Sequence, residues 1–271
     1  MPWYDPTKPE GYILYVDANN LYGWAMSQCL PYDEVKINNE VNLEHVLATA
    51  DDAEEGYIVE CDLTFPIELH DKFKEFPPCP ESLTPNTKWM SDYQKSMLSK
   101  HDEGIAKKLK KGEDVNVGCN KLIPHLMEHK NYCIHYRNLK FVKELGVKIG
   151  KVYNIVSFKQ KEWLKEYIDF NTVKRTKAKN DFEKDFFKLM NNAVFGKTME
   201  NVKNRMNLHL TTCDDNAVKW FSKFNYKNCN EIDGLYLIEM YKTEIIYDKP
   251  MYVGTSVLDI LHCFTKHRII H

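Results

Sequence analysis

The 271-residue sequence predicts an α+β fold in which helices and strands occupy separate stretches of the chain. Two short runs rich in β-branched and aromatic residues, 11–17 and 56–63, have the composition of buried strands. A longer stretch, from about residue 176 to 202, repeats apolar residues at three- and four-residue intervals, which is typical of a helix. Since 43% of the residues are apolar, the chain can bury a sizeable core.

The first predicted strand, residues 11–17, ends at Asp17, and a carboxylate at a strand end faces the opening of a cleft. A helix is predicted to follow, because Asn19 is a good cap and Leu21 begins a helical pattern. The second strand, 56–63, has the same character and is expected beside the first.

The next stretch, from residue 65 to about 121, contains five prolines and a lysine-rich run. We expect it to form an insertion with little regular structure. Regular patterning returns at residue 130 and predicts a helix at 135–145, a strand at 152–158 and a helix at 161–170.

The predicted long helix has two faces of different chemistry. One face is apolar and is expected to be buried: Phe182, Phe186, Leu189, Met190 and Ala193. A step of about 100° per residue puts a second set on a common face: Lys184, Lys188, Asn192 and Phe195. Lys177 joins this second face if the helix begins that early. After residue 205 the pattern predicts strands at 234–240 and 243–247 and a helix from Ser256.

The net charge of −2 conceals a strong segregation of charge. Residues 101–205 contain 23 Lys and Arg against 13 Asp and Glu, whereas residues 1–100 contain 7 against 18. The middle of the chain is therefore predicted to contact an anionic partner such as nucleic acid. A single lysine-rich run is as readily the solvated face of a helix, but segregation over so long a stretch favours contact with an anion.

Nothing in the sequence indicates export or membrane insertion. It has no run of about 20 apolar residues, and its first residues lack the basic-then-apolar order of a signal peptide. Its eight cysteines follow no repeating spacing, which favours reduced thiols. We expect an intracellular protein that is not secreted and has no membrane partner.

Asp17 is the first candidate catalytic residue. Phosphoryl transfer to a growing strand uses two divalent metal ions about 4 Å apart, held by carboxylates that approach from separate strands. An aspartate at the end of a buried strand suits that role. The alternative is that Asp17 caps a helix or forms a turn, as a lone aspartate at such a position more often does.

The residues that follow Asp17 resemble the first motif of family B DNA polymerases, Asp-x-x-Ser-Leu-Tyr-Pro. Leu21 and Tyr22 match this motif, with Asn20 at the Ser position and Gly23 at the Pro position. The match is moderately specific by itself and gains weight from a second motif further along the chain.

The resemblance implies a role for each of these residues. Asp17 would bind both metal ions, and the carbonyl of Ala18 would complete one coordination shell. The amides of Asn20 and Leu21 would contact the triphosphate at a helix N-terminus. Tyr22 would stack beneath the sugar and exclude a 2′-hydroxyl; the alternative for Tyr22 is an ordinary core aromatic.

The second family motif, Lys-x-x-x-Asn-Ser-x-Tyr-Gly, is resembled by the predicted long helix. Lys188, Asn192 and Gly196 match it, with Ala193 and Phe195 at the Ser and Tyr positions. The resemblance implies a surface that closes on a nucleotide, with Lys188 on the phosphates and Phe195 and Gly196 against the base pair. Phenylalanine at position 195 removes one hydroxyl and any hydrogen bond that it would make.

Other segments extend the resemblance over nearly the whole chain. Residues 130–139 and 158–171 resemble the segments that precede the fingers in polymerases of Polinton-type elements and similar viruses. The chain is thus similar to the protein-primed viral, organellar and Polinton-type branch of family B. Arg175, Lys177 and Lys179 lie where the family places a further triphosphate cation, and the pattern does not choose among them.

The resemblance implies part of a right-hand polymerase, with palm, fingers and an insertion. Residues 1–64 would form the first part of the palm, 65–129 a mobile insertion, 130–205 the palm return with the helical fingers, and 206–271 a second insertion and palm return. The implied activity is template-directed DNA synthesis from dNTPs at a two-metal site for Mg²⁺ or Mn²⁺. The implied partners are a DNA template-primer, a dNTP and a priming protein.

The third family motif, an Asp-x-Asp hairpin that supplies a further metal carboxylate, does not occur in these 271 residues. Residues 249–258 resemble the stretch that leads into it, so we expect the chain to stop shortly before the hairpin. The chain alone is therefore predicted not to extend a primer. The alternative is a non-catalytic DNA- or nucleotide-binding remnant of a mobile-element polymerase; a reverse transcriptase is disfavoured because the helix with Lys188 and Gly196 follows the family B pattern.

A different kind of site is suggested by a short stretch rich in metal-binding residue types: Cys119, His125, His129, Cys133 and His135. His125 and His129 have the i, i+4 spacing that can hold zinc. The spacing matches no common zinc motif and no Cys-x-x-Cys accompanies it, so the sequence disfavours a zinc site.

Overall fold

The computed structural model describes residue 7 and residues 20–270, with side chains described as far as residue 264. In this part of the chain the helices are α1 (Leu21–Met26), α2 (Leu43–Ala48), α3 (His70–Phe73), α4 (Asp92–His101), α5 (Glu103–Lys110), α6 (Tyr136–Glu144), α7 (Lys165–Thr176), α8 (Asp181–Thr198), α9 (Asp214–Phe221) and α10 (Met251–Ile270). The strands are β1 (Leu30–Ile37), β2 (Glu55–Thr64), β3 (Glu81–Leu83), β4 (Lys121–Ile123), β5 (His129–His135), β6 (Lys148–Lys161), β7 (Asn207–Thr211), β8 (Tyr226–Ile232) and β9 (Leu235–Met240). The fold thus mixes helices and strands, and no helix among the described residues combines the length and apolar character that crossing a bilayer requires.

The strands form three sheets. One has four strands in the order β1-β6-β2-β5, β3 pairs with β4, and β9 lies between β7 and β8 in the third. β5 runs antiparallel to β2, with Ile58 opposite His135. The β8–β9 turn is tight because Asp233 and Gly234 both have positive φ, 49° and 76°, as a two-residue hairpin turn requires.

The chain divides into two compact units. The first comprises Met1–Lys36, Ala50–Gly56 and Phe158–His271, and the second comprises Ile37–Thr49 and Tyr57–Ser157. Alternate residues of β2 and one face of α6 supply much of the core of the second unit: Tyr57, Val59, Cys61, Leu63, Tyr136, Leu139 and Val142. This period of two is what a strand with one buried face shows.

Most of the predicted elements are confirmed, some with shifted ends. α1 begins at Leu21, where the helical pattern is predicted to begin, with Asn20 as its N-cap and no capping hydrogen bond from that side chain; the predicted cap, Asn19, lies outside the described residues. α6, β6 and β9 form where a helix at 135–145 and strands at 152–158 and 234–240 are predicted. The last helix, α10, begins at Met251, five residues before the predicted start at Ser256.

The long helix predicted from about 176 begins later than expected. The side chain of Asn180 accepts a hydrogen bond from the amide of Glu183 at 2.9 Å, which makes it the N-cap of α8. Lys177 is the C-cap of α7 instead. The helix does not begin early enough for Lys177 to share a face with Lys188, so the condition set for Lys177 is not met.

The buried face of α8 is also different from the predicted one. Phe182 is 78% exposed and Leu189 is 63% exposed. Val194 and Phe195 pack against the helical core of the first unit instead. Periodicity identifies the apolar rows of a helix, but a helix with two such rows does not reveal which one its neighbours cover.

The stretch predicted to be an insertion, residues 65–121, is more regular than its prolines suggest, because its two longer helices are well capped. Ser91 and Gln94 form a capping box at the start of α4, and the side chain of Asp102 accepts the first amides of α5. The expectation of little regular structure is therefore wrong for this part of the stretch. The strand predicted at 243–247 is also wrong, since residues 241–250 form no helix or strand.

Candidate nucleotide site

Helices α1, α7, α8 and α10 of the first unit share a hydrophobic core beneath the candidate site. Its buried residues come from α1, α7, α10 and adjoining positions: Ala25, Met26, Leu30, Leu164, Ile168, Val253, Val257 and Ile260. Tyr167 of α7 donates a hydrogen bond to the carbonyl of Met190 in α8 at 3.2 Å. Apolar burial stabilises such packing by about 25 cal/mol per Å², so the core holds α1 beside α8.

Tyr22 and Phe195 are in direct ring contact on this core. Their ring centroids are 4.7 Å apart and the ring planes are inclined by 46°. Tyr22 stays 37% exposed, whereas Phe195 is partly buried against the helical core. One residue of the first sequence motif is therefore in contact with one residue of the second, although the two motifs lie far apart along the chain.

The entry to α1 has an unusual backbone conformation. Asn20 is left-handed, with φ of 57°, a conformation that Asn tolerates better than most residues. Its side chain lies over Gly23, where an added Cβ would be 2.2 Å from Asn20 Nδ2. Glycine at position 23 therefore leaves room for the Asn20 side chain.

A groove of about 360 Å³ opens next to these helices. Its lining combines the entry to α1, the last turns of α7 and the middle of α8: Asn20, Thr172, Arg175, Thr176, Lys184 and Asn191. Of Arg175, Lys177 and Lys179, which the sequence does not separate, Arg175 is the one that lines this groove. Lys177 lines a different cavity, next to Phe182.

The described lining of the groove carries two cations and no carboxylate. The guanidinium of Arg175 makes no ion pair within the described part of the chain. Lys184 pairs with Asp181 at 3.1 Å, but both side chains are largely exposed, and such a pair contributes little. The groove is therefore suited to an anionic group with several oxygens, which a guanidinium binds through two parallel hydrogen bonds.

Asn191 is the residue of this groove that the sequence analysis missed. It is 4% exposed, and its Oδ1 has no hydrogen-bond partner among the described residues. A buried amide oxygen without a donor is unfavourable, so a ligand with an N–H or O–H group would satisfy it. Asn192, the predicted residue, is exposed beside it. The spacing of Lys184, Asn191 and Phe195, which puts them on one helical face, is the signal that could have found Asn191.

The other predicted residues of α8 and its approach do not line the groove. Lys179, Lys188 and Asn192 are exposed. Gly196 is exposed as well, and a Cβ added to it would have no neighbour within 4 Å. Lys188 lies one helical turn from Lys184 on the same side of α8.

The predicted metal ligands, Asp17 and the carbonyl of Ala18, lie outside the described residues, as does the strand predicted at 11–17. Leu21, which follows the cap, is half-buried in the first turn of α1. The described groove lining offers amides, hydroxyls and cations, a set that does not fit a divalent metal ion. A metal ion here would need carboxylates from elsewhere in the chain or beyond it.

Comparison with solved structures finds a similar fold in part of a known enzyme. The chain matches Phi29 DNA polymerase in an orthorhombic crystal form with a TM-score of 0.50 and 14% sequence identity, over 94% of this chain and 35% of that one. It also matches the Phi29 DNA polymerase complex with primer-template DNA and incoming nucleotide substrates, with a TM-score of 0.48, 16% identity, and coverage of 94% and 34%. No protein-family model matches the sequence, and no curated protein matches it. At this identity the likeness shows the fold alone, and the chain spans about a third of the length of the polymerase.

Proposed function

We propose that this chain is the palm-and-fingers part of a DNA polymerase of family B type, and that its groove holds an incoming deoxynucleoside triphosphate. The observation that carries the proposal is the ring contact of Tyr22 with Phe195. It joins the two polymerase-like motifs beside a groove whose described lining has two cations and no acid. The likeness of fold to Phi29 DNA polymerase supports the same conclusion.

In this proposal the triphosphate lies against α7 and α8. Arg175 binds phosphate oxygens through its planar guanidinium, and Lys184 adds a second positive charge. Lys188, on the next turn of α8, extends the cationic surface toward solvent, and Lys179 lies on the exposed approach to it. A groove of about 360 Å³ is within the usual size range of small-molecule sites.

The sugar and base are proposed to lie against the aromatic pair. Phe195 supports the ring of Tyr22 from one side, so Tyr22 forms a firm wall beneath the sugar. Such a wall leaves no space for a 2′-hydroxyl and would favour deoxynucleotides. Gly196 and the neighbouring Asn192 present an open surface of α8 to the base pair, with no side chain near Gly196 to obstruct it.

Metal binding is assigned to Asp17, with the carbonyl of Ala18, by the sequence motif. Mg²⁺ or Mn²⁺ bound there would supply positive charge to the phosphates during transfer. The 271 residues contain no Asp-x-Asp sequence, so we propose that this chain alone binds a nucleotide but does not extend a primer. A DNA template-primer is the proposed second partner, and a priming protein is a further one.

The competing proposal is a non-catalytic DNA- or nucleotide-binding protein. It is favoured by the lack of a carboxylate in the described groove lining. It needs the excess of lysine and arginine in residues 101–205 but no second metal-binding residue. The two proposals differ in whether a complete metal site forms when the missing carboxylate is supplied.

Nucleotide binding is the direct test of the groove. We expect Arg175→Gln to weaken the binding of a fluorescent dATP analogue about tenfold, because a phosphate loses a charge-assisted contact. Lys174→Gln is the matched control, since Lys174 is the preceding residue of α7 and lines a different cavity. Equal losses in the two variants would mean that general charge, rather than this groove, holds the nucleotide.

Primer extension separates the enzyme from the binding protein. We expect no template-dependent incorporation by the chain alone with either Mg²⁺ or Mn²⁺. Incorporation that Asp17→Ala abolishes would show that the chain is a complete catalyst and would contradict our expectation. DNA binding without any affinity for dATP would support the competing proposal.

A further inference from the structure

A cluster of two histidines and a glutamate lies in the second unit. Glu81, His125 and His129 each bring one potential ligand atom within 4.8 Å of the other two. Glu81 Oε2 is 3.0 Å from His125 Nε2 and 3.9 Å from His129 Nε2. The imidazole rings stack with their centroids 4.4 Å apart.

The three residues come from separate segments. Glu81 begins β3 and lies opposite Ile123 of β4, His125 follows β4, and His129 begins β5. His129 is fully buried, and the side chain of His125 is 9% exposed. A metal ion bound by these residues would therefore link β3 and the segment after β4 to β5, which is an edge strand of the four-stranded sheet.

Both ring nitrogens of His129 face a backbone carbonyl. Its Nδ1 is 2.8 Å from the carbonyl oxygen of Met127, and its Nε2 is 2.7 Å from the carbonyl oxygen of Cys79. A neutral imidazole has one N–H and can satisfy one carbonyl. When Nδ1 donates to the Met127 oxygen, Nε2 keeps a lone pair that a metal ion can bind.

An Nδ1–H bonded to a backbone carbonyl is the arrangement that orients most zinc-binding histidines. His129 has this arrangement through Met127. The carbonyl oxygen of Cys79, 2.7 Å from Nε2, is at hydrogen-bond distance and is not counted as a ligand. With Nδ1 held by Met127, Nε2 is the nitrogen that a metal ion would bind.

His125 presents a second ring nitrogen to the cluster. Its Nε2 is buried and lies 3.0 Å from Glu81 Oε2, so a metal ion bound there would take the place of the proton between them. Its Nδ1 accepts the amide of Met127 at 3.2 Å, and this long contact is the interaction that a metal-bound ring would give up.

We propose that Glu81, His125 and His129 bind a divalent transition-metal ion, with zinc as the best fit. Two imidazoles and one carboxylate are a donor set for zinc rather than for Mg²⁺ or Ca²⁺. Ligands on a tetrahedral zinc ion with bonds of about 2.0–2.1 Å lie about 3.3 Å apart, close to the observed 3.0 and 3.9 Å. The site is structural and does not depend on the proposed nucleotide site.

The sequence disfavours zinc because the potential ligands nearest to His125 and His129 along the chain are not the residues that lie beside them in the fold. Cys119 and Cys133 are exposed and, with His135, do not belong to the cluster. The third ligand is Glu81. It lies too far from the histidines along the chain for a local spacing motif to include it.

Zinc content and affinity of the tag-free full chain test this proposal. After chelation, addition of zinc and gel filtration, we expect close to one zinc ion per chain by elemental analysis. Exposed thiols are blocked beforehand so that they do not bind zinc. Glu81→Gln and His125→Gln keep side-chain size, and each should weaken zinc binding about tenfold or more, measured against a chromophoric chelator.

His70→Gln is the matched control, because His70 is a part-buried histidine of the same unit that bonds to the carbonyl of Phe65. It should bind zinc like the unmodified chain. Zinc should also raise the unfolding temperature of the unmodified chain but not that of Glu81→Gln. A chain that takes up no zinc, or zinc that both cluster variants retain at full affinity, would overturn the proposal and leave Glu81 as a polar partner of His125.

Discussion

At the residue scale, Tyr22 and Phe195 hold each other in place by ring contact. Phe195 packs on the helical core, and Tyr22 is held against it while still 37% exposed. An aromatic ring fixed in this way keeps one face for a ligand and loses little conformational freedom when the ligand binds. The orientation of Tyr22 therefore depends on a residue that belongs to the other motif.

A double-mutant cycle of Tyr22→Leu and Phe195→Leu measures this contact. We expect the two single variants to lose stability, and the pair to show a coupling of about 0.5–1.5 kcal/mol, as aromatic pairs in contact do. Urea unfolding of the four proteins supplies the values. Additive losses within error would mean that the rings do not interact in solution.

Two glycines of the candidate site give a matched pair of predictions. Gly196→Ala should stabilise the fold by about 0.5–1 kcal/mol, because alanine favours a helix and the new methyl has no neighbour within 4 Å. Gly23→Ala should give no such gain, since its methyl would collide with the side chain of Asn20. Urea unfolding tests both changes, and an equal gain at position 23 would contradict the close approach of Asn20.

At the element scale, the segment after α8 is fastened by Glu200. Its carboxylate accepts two hydrogen bonds from Arg205, at 3.1 and 2.6 Å, and lies 3.4 Å from Lys197 and 3.8 Å from Lys249. The hydrogen bonds from Arg205 are the main cause that lowers the pKa of Glu200 to about 2. Glu200 thereby links the end of α8 to the residues before α10.

This lowered pKa predicts a pH-dependent contribution to stability. A carboxylate whose pKa falls on folding stabilises the fold above its unfolded pKa, here near 4.5, and the effect is lost as the pH falls through about 2. Glu200→Gln should therefore be less stable than the unmodified chain at neutral pH. The difference in unfolding midpoint should shrink as the pH falls below 4.5, whereas a constant difference down to pH values near 2 would argue against the Arg205 pairing.

The elements that could be predicted are those set by local chemistry. The helical pattern that begins at Leu21, the helix α6 and the strand β9 all follow from short-range patterns. The buried face of α8 could not be predicted, because the packing of Val194 and Phe195 against other helices decides it. For the same reason the family motif pointed to Asn192, whereas the tertiary contacts bring Asn191 to the groove.

At the scale of the whole molecule, the fold explains why residues from distant stretches act together. The first unit gathers residues that lie far apart along the chain, so the described part of the first motif, from Asn20 on, and the second motif fall within one compact body. The likeness to Phi29 DNA polymerase extends over 94% of this chain. The basic middle of the sequence stays a prediction of contact with an anionic polymer.

Our central proposal is that Asp17, through a metal ion, and Arg175, directly, hold the same triphosphate. The most direct measurement is the affinity for a dATP analogue of the unmodified chain, Asp17→Asn, Arg175→Gln and the double variant, each with Mn²⁺ and with EDTA. We expect each single change to weaken binding about tenfold with Mn²⁺, and Asp17→Asn to have no effect in EDTA. If Asp17→Asn binds the analogue as tightly as the unmodified chain with Mn²⁺ present, the two residues do not share a nucleotide and the polymerase assignment is contradicted.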